Sequence, residues 1–152
     1  MLFKTLLAPI LLSLFLFSAC TQKADSGDDP KRRLNDYISQ SFAVKGPQDR
    51  KELAAFLTGD AKTRIESWSD DQFMQAFVES KRQFIKLAFK ELKATSADEV
   101  NITYELTYQN PHDSRVTNRK LAQLLRQNGK WYIGDVRNLK ELVEYKNELS
   151  LP

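Results

Sequence analysis

The sequence predicts an α+β fold, with N-terminal helices packed on a curved antiparallel sheet of about four strands. Three observations carry this prediction. Apolar residues recur at three- and four-residue steps from Leu34 to Val78. From Val100 to Tyr108 they alternate strictly with polar ones, the period of a half-buried strand. Asn128-Gly129 is the strongest short hairpin signal, because both residues tolerate positive φ. Helices first and strands second is the segregated class, in which helices cover one face of a sheet.

The elements follow in order. Leu34, Tyr37, Ile38, Ser41 and Phe42 form the stripe of a first helix. Gly46-Pro47 ends it, and Pro47 suits the first turn of another, where its missing N–H is not needed. Leu53, Phe56 and Leu57 continue the helical pattern to Gly59, and Ala61, Ile65 and Trp68 mark a further short piece. Ser69-Asp70-Asp71-Gln72 reads as a capping box, with Phe73, Met74, Phe77 and Val78 as the stripe behind it. The period changes near residue 84, where Ile85, Leu87 and Phe89 alternate with Lys86, Ala88 and Lys90 as a strand would. Val100, Ile102, Tyr104, Leu106 and Tyr108 form the apolar face of the next strand, and Asn110-Pro111-His112-Asp113 is a turn.

Lys120 to Gln127 reads in isolation as helix or strand. The hairpin signal and Trp131-Tyr132-Ile133 decide for strand. A two-residue turn pairs Arg126 with Trp131, Leu125 with Tyr132, Leu124 with Ile133 and Leu121 with Val136, and Gly134 marks a bulge or bend. Leu139, Leu142, Val143 and Leu149 predict a last helix.

Before the helices, Met1 to Lys4 supplies one positive charge, Thr5 to Phe17 is almost wholly apolar, and Ser18-Ala19 are small. That order is a secretory signal peptide, its apolar run short of the roughly 20 residues a membrane-spanning helix needs. Phe17-Ser18-Ala19-Cys20 resembles the lipobox of bacterial lipoproteins, with Phe17 where the family usually has Leu. The resemblance implies cleavage before Cys20 and lipidation of its thiol. The expected organisation is residues 1–19 as signal, 20–30 as lipidated cysteine and tether, and 31–152 as one α+β domain. Thr21 to Pro30 holds no apolar residue larger than alanine, so it should act as a flexible leash spanning roughly 15–20 Å. Thr21, in place of Asp, resembles sorting to the outer membrane, which puts the domain in the bacterial cell envelope, facing the periplasm.

Composition narrows the chemistry. Removing residues 1–19 of the 152 leaves 133, enough for one domain and its core but not for two. Cys20 is the only cysteine, so once lipidated it leaves the domain no disulfide, thiolate metal site or cysteine nucleophile. Of the chain's 23 basic and 20 acidic side chains, only Lys4 falls in the signal, so the mature part keeps a net charge of +2. That is too mild for nucleic-acid binding. Lys31-Arg32-Arg33 and Lys81-Arg82 are the basic runs; the first reads as a solvated helix start or as a contact for anionic headgroups. Asp25, Asp28 and Asp29 lack the glycine and distal glutamate of a calcium loop. No Gly-x-Ser-x-Gly, Walker, Gly-x-Gly-x-x-Gly or His-Glu-x-x-His pattern occurs, and the lone His112 falls in a turn that offers a base little positioning. No metal, cofactor or catalytic residue is assigned.

The hairpin Leu124-Leu125-Arg126-Gln127-Asn128-Gly129-Lys130-Trp131-Tyr132-Ile133, with the strand Val100 to Tyr108 and the helices before them, resembles the cystatin-like or nuclear-transport-factor-two-like superfamily. It is most similar there to bacterial lipoproteins with a lumazine-binding-like domain. The resemblance spans roughly residues 31–138 and implies a pocket between sheet and helices. Members include isomerases and dehydratases as well as non-catalytic modules, and fold analogy does not choose between them. The superfamily's isomerases use an Asp base with Tyr donors, which makes Tyr104, Tyr108, Tyr132 and Asp135 the candidate pocket residues. Tyr104 and Tyr108 share the apolar strand face, where packing is the usual role, and the face of Asp135 stays open.

The expected function is a non-catalytic module, anchored to the membrane by its N-terminal lipid, that binds a small apolar ligand or an envelope protein. The alternative is a cofactor-free isomerase or hydrolase using Asp135 and a pocket tyrosine. A third reading is a scaffold that dimerises through the sheet's outer face. The first two separate on whether Asp135 and a tyrosine hydroxyl converge in one pocket.

Overall fold

A computed structural model describes residues 28–111 and 114–144. The signal segment, Cys20, most of the tether, His112, Asp113 and Leu149 lie outside the described residues. The helical part comprises α1 (Pro30–Ala43), a 3-10 turn (Pro47–Asp49) leading into α2 (Arg50–Ala54), α3 (Gly59–Ser67) and α4 (Asp70–Met74), which runs on into a π-helical turn (Gln75–Glu79). The strands β1 (Gln83–Ser96), β2 (Glu99–Gln109), β3 (Arg115–Gln127) and β4 (Lys130–Glu144) follow. They form one antiparallel meander in the order β1-β2-β3-β4. The class is α+β, as the pattern predicts.

Local chemistry sets the helix starts. The Asp29 carboxylate accepts from the backbone N–H of Lys31 at 2.8 Å and of Arg32 at 3.4 Å, so α1 begins at Pro30, inside the stretch read as tether. The capping box at α4 is closed in both directions. The Gln72 N–H donates to Ser69 Oγ at 3.2 Å, and the Ser69 N–H donates to Gln72 Oε1 at 2.9 Å. Ser69→Ala is expected to cost about 1 kcal/mol, read as a lower urea midpoint at unchanged slope.

In the sheet, Val100, Ile102, Tyr104, Leu106 and Tyr108 are all buried. β1 is a strand as predicted, but register shifts between Phe84 and Lys86 and between Phe89 and Glu91 re-phase it. Phe84, Leu87, Phe89 and Leu92 therefore oppose Tyr108, Leu106, Tyr104 and Ile102, while Ile85, expected on that apolar face, falls in the irregularity and is exposed. The closing hairpin turns through Asn128 and Gly129 at φ 51° and 80°, the left-handed pair this turn requires. Arg126–Trp131, Leu125–Tyr132 and Leu124–Ile133 pair as expected. Leu121 does not meet Val136: Gly134 is left out of the register, so Ala122 faces Val136 and Leu121 faces Arg137. The expected last helix is corrected too. β4 stays paired with β3 as far as Arg115 and Glu144, and Leu139 and Leu142 are exposed. Over Leu139, Leu142 and Val143, helical spacing does not outweigh the ladder of backbone hydrogen bonds offered by a finished neighbouring strand.

Leu34 and Ile38 of α1, Leu53, Leu57, Ile65 and Phe73 meet Ile102, Tyr104, Leu124 and Ile133 of the sheet in a single core, with Trp131 at its edge. Leu57 forms a parallel bridge with Ile133. The Thr58 N–H donates to the Ile133 carbonyl at 2.9 Å, and the Ile133 N–H donates to the Phe56 carbonyl at 3.0 Å. This short segment covers part of the β4 edge, which would otherwise present unpaired backbone groups.

Candidate functional site

The alternation of β2 and the three- and four-residue stripe of α1 place their side chains across a gap that the core does not fill. A cavity of about 140 Å³ remains between α1, the π-helical turn and the helix-covered face of the sheet. Tyr37, Ile38, Ser41 and Phe42 line it from α1, and Tyr104, Leu106, Lys120 and Val136 from β2, β3 and β4. Ala76, Phe77, Ser80 and Arg82 close it from the turn and the residues after it. The wider π-helical turn and Lys81 at φ 45° redirect the chain into β1, and this redirection brings Arg82 back toward the helix end. The Arg82 Nη2 donates to the Ala76 carbonyl at 2.6 Å, and its guanidinium lies 5.4 Å from the centre of the Tyr108 ring. Lys120 Nζ donates to Asn138 Oδ1 at 2.7 Å.

The Lys120 amine and both phenols are shifted by burial. Burial, then the positive charge of Arg82, lowers the Lys120 amine below the usual lysine range, against the opposing pull of Glu141. Burial raises the Tyr104 phenol strongly, with a smaller contribution from Tyr37. Burial also pushes Tyr37 up to about 12, against the opposing charge of Arg64. Both phenols are therefore neutral donors at physiological pH. A phenol whose folded pKa is raised binds its proton longer in the native state than in the unfolded one. Its contribution to stability is intact below about pH 10 and is lost as pH climbs toward 12. Stability measured in urea from pH 9 to 12 is expected to fall, and Tyr37→Phe to flatten that fall relative to wild type. An unchanged slope would show that Tyr37 ionises as freely folded as unfolded.

The structure separates the four candidate pocket residues. Tyr104, 2% exposed, lines the cavity. Tyr108 shares its face but lies beside the cavity. Its hydroxyl accepts from Asn118 Nδ2 at 3.3 Å, and its ring packs against Phe42, centroids 6.4 Å apart. Tyr132 opposes Leu125, and Asp135 opposes Gln123, in the rows of the opposite face of the sheet. Asp135 there pairs with Arg137 at 3.2 Å, and Tyr132 carries the Arg33 guanidinium 5.2 Å from its ring centre. Asp135 and the cavity tyrosine therefore do not converge. The cause is the bulge at Gly134, which advances the strand by one residue and leaves Asp135 in the row of Gln123.

Sequence reading missed Lys120, Arg82 and Tyr37. Lys120 carried a signal, since it falls in the same alternate row as Ala122 and Leu124 and a lysine in an apolar row is conspicuous. Tyr37 gave only a helical stripe, and Arg82 stood out only as half of the basic run Lys81-Arg82, which says nothing of a cavity. Among the described residues no three His, Cys, Asp or Glu side chains gather as a metal site. The middle of the opposite face of the sheet carries a polar ladder. There Glu105 accepts from Lys90 at 2.8 Å and Arg119 at 2.7 Å, which hold its carboxyl below the usual range, and the Thr107 and Thr117 hydroxyls meet at 3.0 Å.

No family model and no curated protein matches the sequence. Among solved structures, the chain is similar to a SEC-C motif containing protein from Rhodopseudomonas palustris, at 11% identity and a TM-score of 0.55, covering 76% of this chain and 80% of that one. It also overlaps a hexachlorocyclohexane dehydrochlorinase of the LinA type 2 kind, at 12% identity and a TM-score of 0.44, over 80% of this chain and 93% of that one. The second likeness is too loose to carry an argument. The first speaks for the shared α+β fold alone.

Proposed function

We propose that this chain is an envelope lipoprotein whose single α+β domain binds a small molecule without transforming it. The observation that carries the binding reading is the cavity between α1 and the sheet. Apolar and polar side chains share its lining, two neutral phenols and two cations among them, and among the described residues neither a carboxylate nor an imidazole lines it. Such a site orients a ligand with a few convergent polar groups in an apolar setting, while the isomerase alternative loses Asp135 to the other face. Support for anchoring comes from the order of the N-terminal residues through Cys20. The lipid would keep the domain beside the membrane and in reach of solutes there.

Binding is tested with benzamide and benzoate, two probes of nearly one shape. Titrated into the full chain in detergent, one or both are expected to shift the ring resonances of Tyr37 and Tyr104. Ala76→Phe, which fills the cavity, is expected to suppress the response. Rings that respond to neither probe in the unsubstituted protein would overturn the binding reading.

A further inference from the structure

We infer that the cavity's ligand is a small organic acid, an apolar body about the size of a benzene ring with one carboxylate-like head held between Lys120 and Arg82. This rests on the binding reading above and specifies its ligand class.

Volume limits the body. The cavity of about 140 Å³, partly open to solvent, is close in size to the roughly 150 Å³ cavity that holds one benzene, so a body of that size fits inside it. Ile38, Phe42, Phe77, Leu106 and Val136 supply the apolar wall that such a body needs. An inorganic anion would leave that wall against water or against a hydrated charge, which favours an acid with a carbon body.

Charge selects the head. Lys120 Nζ carries three donors, and the partner it reaches, Asn138 Oδ1, is neutral. Arg82 carries five donors, and its bond to the Ala76 carbonyl is again to a neutral acceptor. Two cations thus border one small cavity, close enough for Arg82 to disfavour the charged form of Lys120. The carboxylate whose field reaches Lys120 is Glu141, an exposed residue outside the cavity lining. A bound carboxylate relieves the repulsion between the cations and uses their remaining donors in charge-assisted hydrogen bonds. A cationic ligand would meet repulsion and find no anionic partner in the lining. The phenols of Tyr37 and Tyr104 remain to donate to a ring substituent or to the head.

The test compares benzoate with benzamide at low ionic strength, reading dissociation constants from the Tyr104 ring resonances of the full chain. Benzoate is expected to bind at least tenfold more tightly. Lys120→Met is expected to weaken benzoate binding by about 10- to 100-fold, the range for losing a charge-assisted hydrogen bond, while benzamide changes less than about threefold. Arg82→Gln, at an exposed position that makes misfolding a lesser concern, should weaken benzoate in the same direction. Equal affinity for the two probes in the unsubstituted protein overturns the acid assignment and leaves the binding reading intact. So does a benzoate preference that survives both substitutions. Failure of both probes to bind removes the binding reading itself.

Discussion

Replacing Phe73 with alanine is expected to lower the stability of the domain by about 3–5 kcal/mol, the range for emptying a large aromatic site in a packed core. Phe73 is fully buried and is the one buried residue of α4, a helix of five residues. So short a helix does not persist in water by propensity and must be held by packing. The Phe73 ring lies 4.9 Å from Phe77 and 5.0 Å from the Arg50 guanidinium, which is itself tied to Asp70 Oδ1 at 2.7 Å. Phe77 in turn contacts Trp68, centroids 6.2 Å apart, and forms part of the cavity wall. Removing Phe73 therefore opens a void behind the wall as well as beneath the helix. Against a total of roughly 5–15 kcal/mol, that loss brings the domain near its unfolding threshold. The measurement is urea denaturation of wild type, Phe73→Ala and Phe73→Leu, with Leu retaining most of the stability. A loss under 1 kcal/mol for alanine would mean that α4 is held by its cap and the Arg50–Asp70 pair instead.

The second large effect concerns location. Cys20→Ala is expected to move the protein from the membrane fraction to the soluble periplasmic fraction. Each methylene of an acyl chain buried in a bilayer contributes about 0.8 kcal/mol, so several chains on one cysteine hold a domain firmly and their loss changes partitioning by many orders of magnitude. The check is fractionation combined with the intact mass of the wild-type chain, which should show acylation and no residues 1–19. A variant that stays with the membranes would refute the lipobox reading. It would leave the cavity proposal standing, since that depends on residues 37–141.

Features coded by neighbouring residues were readable in advance. The capping box at Ser69, the strand from Val100 to Tyr108 and the Asn128-Gly129 turn each depend on a few adjacent side chains, and each forms as expected. Where pairing with a distant strand decides, reading from sequence failed. Ile85 lost its place to a bulge specified jointly by β1 and β2, and Leu139 and Leu142 took the strand geometry that β3 imposed on them. The site follows the same division. Tyr104 was legible because a strict alternation puts it on the covered face. Asp135 was misleading because one unpaired glycine, Gly134, reverses the phase after it. Lys120 was available to a reader who asked why an apolar row should contain an amine. Arg82 depends on a π-helical turn and a left-handed lysine, for which no local rule exists.

The bridge between Leu57 and Ile133 joins residues 76 positions apart in sequence. Neither the loop after α2 nor the start of β4 satisfies its backbone groups alone. The helical half can thus complete its hydrogen bonding only after the last hairpin has formed and come to meet it. The bridge closes a long loop, at an entropic cost greater than that of the local turns, and so couples the helical half to the closing hairpin.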